Sequence, residues 1–151
     1  MLRYIKGMSF SRSEVIDKIQ RNIDQSINHI ICLIAFPSCS AVNHWKDEIY
    51  SHLNDMYKLS GTKKFPKKQF IYDYTYGKRQ DLLTDERYFM KRLSDVERKE
   101  GLQSEFDLDE VMTRVDEVCC AYYDWLAQKL STDGYVTHDE VIEKLTEIIG
   151  Y

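Results

Sequence analysis

Three of the four histidines and two of the four cysteines fall within 24 residues: His29, Cys32, Cys39, His44 and His52. Imidazole and thiolate are the groups from which tetrahedral zinc sites are built. On a helix, His29 and Cys32 are three residues apart and share a face, so both could reach one ion. His44 and His52 stand two turns apart on the next predicted helix, too far to chelate directly, and the spacing of the five residues matches no zinc signature. Cys32 sits in the most apolar stretch of the chain, where a free thiol behaves as a small hydrophobe. The ligand types are present without ligand spacing, so the expectation is no metal and no cofactor.

A second constellation runs from Lys58 to Arg79. Lys58, Lys63, Lys64, Lys67, Lys68, Lys78 and Arg79 stand there against a single acid, Asp73, with Phe65, Phe70, Tyr72, Tyr74 and Tyr76 interleaved. Lysines neutralise phosphates and flat rings stack on unpaired bases, so the mixture suits single-stranded nucleic acid. The residues that would contact it are Lys63, Lys64, Lys67, Lys68, Tyr72, Tyr76, Lys78 and Arg79. The alternative is that Phe65, Phe70 and Tyr74 close a core beneath a solvated lysine loop.

Residues 129–140 contain half of a calcium loop. With Gly134 aligned to the invariant glycine, Glu140 falls at the bidentate end, but Lys129 and Ser131 occupy the first and third ligand positions. A lysine there puts a positive charge where an anionic oxygen is required. A turn at Asp133-Gly134 and a capping box from Thr137 to Glu140 account for the same residues.

Arg21-Asn22 followed by His29 resembles the arginine–histidine motif of the HEPN-type helical ribonucleases. The resemblance covers nine residues and implies an all-helical fold, with a histidine available as general acid or base. Seven residues separate Arg21 from His29, a longer gap than that family uses, so no catalytic role is carried over. A small helical nuclease or hydrolase built on Arg21, His29 and the His44/His52 helix stands as a further alternative. The chain contains no nucleophile elbow, phosphate-cradling glycine loop or dinucleotide fingerprint. That leans the reading away from an enzyme.

The segment Cys119-Cys120-Ala121-Tyr122-Tyr123-Asp124-Trp125 is rich in large rings. Tyr and Trp bring much contact area at low entropic cost, which suits interface cores. Tyr123 and Trp125, beside the acidic pair Asp116 and Glu117, form a predicted partner-docking surface.

The elements that must position these groups are helices, given only six glycines and two prolines, Pro37 and Pro66. A first helix starts near Ser11, whose spacing to Glu14 makes a capping box, and carries Val15, Ile16, Ile19, Ile23, Ile27, Ile30, Ile31 and Ile34 on one face until Phe36-Pro37 ends it. A second runs from about Ser40 to Leu59 with Trp45, Ile49, Leu53 and Met56 inward. A third covers about Lys78 to Lys99, with Leu82, Phe89, Leu93 and Val96 inward, and Gly101 closes it. A fourth begins after Asp107 and buries a stripe from Leu108 to Leu130. A fifth opens at Thr137 and buries Val141, Ile142, Leu145, Ile148 and Ile149. No strand pair with a hairpin turn is expected. Residues 1–10 are expected to form a loosely ordered N-terminal segment, and 60–79 a basic-aromatic connection. The predicted fold is one all-α domain over residues 1–151, a bundle of about five helices with mostly antiparallel neighbours.

Composition bounds the function classes. Lys and Arg outnumber acids 18 to 13 in residues 1–100, whereas residues 101–151 carry 3 against 12. The overall charge of −4 hides that asymmetry, which bears on partners more than on fold. The longest apolar run, Ile27 to Phe36, is about half a bilayer span and contains His29. Residues 1–10 lack the apolar stretch of a signal peptide. The expectation is a cytoplasmic protein with reduced thiols and no membrane span. Its expected role is a non-catalytic interaction or regulatory module that docks a protein partner or a second copy of itself.

Overall fold

The computed structural model describes residues 2–5, 8–59 and 80–150. Strands β1 (Leu2–Ile5) and β2 (Met8–Ser11) lead into helices α1 (Arg12–Ala35), α2 (Val42–Leu59), α3 (Gln80–Leu83), α4 (Glu86–Glu100), α5 (Leu108–Asp133) and α6 (His138–Ile149). The described residues form an all-α helical bundle, as their periodicity requires.

Two expectations are corrected. β1 and β2 form an antiparallel hairpin in which Leu2 faces Ser11 and Ile5 faces Met8. The expectation of no strand pair is therefore replaced by a short ladder. The sequence signal is a two-residue connection, Lys6-Gly7, between two strand-length runs. The predicted third helix is broken in two. Asp85 leaves the helical region at φ −89°, ψ 101° and its carboxylate accepts hydrogen bonds from the amides of Arg87 and Tyr88. An aspartate that caps a new helix competes with continuing the old one. The break turns Leu83, rather than the expected Leu82, into the core.

Helix α1 is the hub, packed against α2, α4 and α5. Its last residues, Ile30–Ala35, and Phe36 just beyond them are all at or below 1% exposure. A helix that is apolar on every side is one surrounded by others. Paired contacts set the directions. His29 meets His52 and Phe36 meets Trp45, so α2 runs antiparallel to α1. Tyr88 hydrogen-bonds Asn28 and Arg92 meets Cys32, so α4 runs parallel to α1. Consecutive long helices thus alternate in direction, and their inner faces supply one core that includes Ile49, Phe89, Val115, Tyr122, Val141 and Leu145.

The helix ends follow their local chemistry. Gly134 terminates α5 at φ 78°, a left-handed conformation that a glycine adopts without a Cβ penalty. Thr137 and Glu140 make the expected reciprocal capping box of α6. Lys129 fills the centre of the calcium-like stretch, bridging Asp133 at 2.6 Å and Glu140 at 2.5 Å. The ammonium group itself supplies the positive charge that a cation would have brought. Thr137→Ala is expected to cost about 1 kcal/mol through loss of the cap, seen as a lower urea midpoint at unchanged slope. Among the described residues no helix is long and apolar enough to cross a membrane.

Candidate functional site

The antiparallel register of α1 and α2 brings three side chains together that the sequence holds apart. His29 comes from α1. Glu48 and His52, four residues apart, share one face of α2. Their ligand atoms all lie within 4.8 Å of one another, and the three residues are half-buried. The two imidazole rings stand 5.4 Å apart at an interplanar angle of 35°. The His52 Nε2 atom lies 3.9 Å from a Glu48 carboxylate oxygen.

Each histidine presents a lone pair. His29 Nδ1 is 2.8 Å from the Gln25 carbonyl oxygen, which can only accept, so Nδ1 carries the proton and Nε2 is left as the donor atom for an ion. A backbone carbonyl behind a metal-binding histidine fixes tautomer and ring orientation in this way. His52 Nε2 is buried and has no hydrogen-bond partner among the described residues. Such an orphaned atom is costly unless something fills the position it faces.

Burial pushes the pKa of both histidines below the usual imidazole value, with each other's proximity and the charge of Arg92 adding to the effect at His29. Both are therefore neutral at neutral pH, as ligation requires. The same shift sets a pH dependence. A histidine with a folded pKa below its unfolded value of 6.5 takes up its proton first in the unfolded chain. In the absence of metal, these two groups are expected to leave stability flat above pH 6.5 and to erode it as the pH falls below. His138, hydrogen-bonded to Asp47 at 2.8 Å, acts in the opposite sense: its pKa is raised, and its contribution is present below pH 6.5 and lost as the pH rises. Thermal melts of wild type and of His138→Gln between pH 5 and 8 separate the two; the variant should fall more steeply on the acid side.

An ion held about 2.0–2.1 Å from each donor keeps tetrahedral ligands roughly 3.4 Å apart. Closing the three groups on an ion needs shifts on the order of an ångström, which side-chain rotation supplies. Two histidines and a carboxylate are a ligand set used by catalytic zinc and by non-haem iron(II), and they leave coordination positions open.

Cys32, the expected companion of His29, does not join this group. Its thiol is buried, its pKa is pushed up by burial, and Arg92 Nη2 donates to its sulfur at 3.6 Å. Cys39 is buried beside Phe36 in the connection to α2, where its sulfur accepts from the Ala41 amide at 3.4 Å. His44 is on the solvent side of Glu48, 3.9 Å away. Glu48 and Arg92 went unnoticed in the sequence. The signal for Glu48 was its place four residues after His44 and four before His52; Arg92 had none, because α4 meets α1 only in the folded chain.

Of the predicted docking residues, the structure places one in the core. Tyr123 is 1% exposed and belongs to the core, packed edge-on against Tyr122 with ring centroids 5.0 Å apart. Residues four apart on α5, Cys119 and Tyr123, sit on the same inner face, so the apolar stripe is wider than its first reading. Trp125 is half-buried, stacked near Tyr122 and beneath the Lys144 ammonium. Asp116 and Glu117 are exposed. The predicted nucleic-acid contacts Lys63, Lys64, Lys67, Lys68, Tyr72, Tyr76, Lys78 and Arg79 lie outside the described residues. Arg21 is exposed on α1, two turns before His29.

Compared with protein-family models, curated proteins and solved structures, the chain matches none. The class is thus an all-α bundle with a two-histidine, one-carboxylate cluster between its first two helices, and its reading rests on that geometry.

Proposed function

We propose that the chain is a helical-bundle protein that binds one divalent transition-metal ion at His29, Glu48 and His52. The observation that carries this reading is the convergence of three ligand atoms from α1 and α2, with the buried Nε2 of His52 lacking a hydrogen-bond partner among the described residues. The ion would keep open positions for a small ligand, which suits a binding or Lewis-acid role rather than a purely structural one. A cytoplasmic setting fits Cys32, Cys39 and Cys119, buried thiols that form no disulfide among the described residues. The test is titration of the metal-free protein with zinc, followed calorimetrically and by metal content after desalting. One ion per chain with micromolar or tighter affinity supports the reading; no saturable binding rejects it.

An interaction module remains a second reading. What favours it is a groove between α3 and α5 lined by Leu83, Glu86, Asp109, Met112 and Asp116, where apolar and acidic groups share one surface. Native mass spectrometry tests self-association through it; a monomer at all concentrations removes the second copy as occupant.

A further inference from the structure

Among the described residues, the surroundings of the three ligands hold more positive than negative charge once an ion is bound. Glu48 is the one carboxylate in the ligand group. Arg92 reaches in from α4, with Nη2 on Cys32, one helical turn from His29 on α1, and its charge acts on His29. Cys32 does not compensate, because burial keeps its thiol protonated. Asp55, one turn beyond His52, is exposed, and its charge reaches His52 only from the solvent side. The Nε atom of Arg92 is buried and has no hydrogen-bond partner among the described residues, so the guanidinium has donor capacity beside the cluster that they do not use. Among the described residues, a half-buried divalent ion next to a guanidinium would meet one ligating carboxylate and one solvent-exposed one, Asp55, which favours a further anion. The guanidinium fork matches paired anionic oxygens, and a metal ion with open positions also binds anionic oxygen.

We infer that the metal-loaded site is a receptor for a small oxyanion, a carboxylate or a phosphate, whose oxygens are shared between the ion and Arg92. This rests on the metal reading above. The anion would bridge α1–α2 and α4, the two sides of the site that share no ion pair within the ligand group.

Cobalt(II) in place of zinc reports on its ligands through visible absorption. The experiment titrates the cobalt-loaded full-length protein with acetate in one arm and inorganic phosphate in the other, and measures retained metal after each. The expected result is a saturable spectral change in at least one arm, weakened about tenfold or more in Arg92→Gln. Arg92→Lys, which keeps the charge but loses the fork, should fall between. Both variants should bind cobalt at least as tightly as wild type, because removing a nearby cation favours the ion; circular dichroism checks that they are folded. Response to acetate alone identifies a carboxylate ligand, and response to phosphate alone a phosphate. If cobalt binds but neither anion alters its spectrum, or Arg92→Gln responds like wild type, the oxyanion inference is overturned and the metal reading stands. If cobalt itself does not bind, the metal reading fails and the inference falls with it.

Discussion

His52→Ala is expected to weaken zinc binding by a factor of about 100 or more, and His29→Ala by a similar amount. Loss of groups that only support a ligand already costs 10–100-fold, so loss of a ligand from a three-residue set costs at least that. His44→Ala is the control. Its imidazole is 68% exposed and stands 3.9 Å from the Glu48 oxygen that faces away from His52, so its removal should change affinity by no more than about twofold. A His44 effect as large as that of His52 would place the ion on the wrong side of Glu48 and reject the assigned cluster. Protons compete with metal for the same lone pairs. Since burial holds His29 and His52 below the ordinary imidazole value, affinity should stay level down to pH 6.5 and decline only in more acidic solution.

The second large effect concerns the core. Phe89→Ala should destabilise the fold by about 3–5 kcal/mol, the transfer term of the ring plus the cavity it leaves. Phe89 has no exposure and lies at the start of α4, edge-on to Tyr88, which itself anchors α4 to Asn28 of α1. The neighbours that would have to collapse into the space are held on rigid helices, so little relaxation is available. For a chain of this size the loss corresponds to roughly 10 °C in melting temperature. Phe89→Leu, which fills much of the volume, should lose well under half as much; equal losses would show that the site does not report packing.

Helix number and limits were legible to the extent that they depend on neighbours in sequence. The Thr137–Glu140 box, the glycine after α5 and the stripe of α5 are local signals, and the fold keeps them. The break at Asp85 was missed because an aspartate inside a periodic apolar pattern reads as a solvated face until its carboxylate is seen capping the next turn. The hairpin was missed because the helical period dominates the following residues. The candidate site was only half legible. His29 and His52 stand out as residue types, but their meeting depends on the antiparallel register that pairs Phe36 with Trp45 one end away. Arg92 arrives through tertiary packing alone, for which its own neighbourhood in sequence carries no trace. Tyr123 shows the converse error: rings attractive as a contact surface were taken inward by the helix they stand on.

The burial of Ile30–Phe36 on all sides has a kinetic face. Nothing can wet those amides by fraying one neighbour, since α2, α4 and α5 each shield a different side. Their deuterium uptake is expected to be the slowest in the described chain, with free energies of opening equal to that of global unfolding, whereas the capped ends of α6 exchange through smaller local openings. As a bare peptide this β-branched stretch would have little reason to be helical in water. The C-terminal part of α1 therefore forms only when its wrappers close around it, and the two helices that carry the ligands become ordered in the same cooperative step as the core.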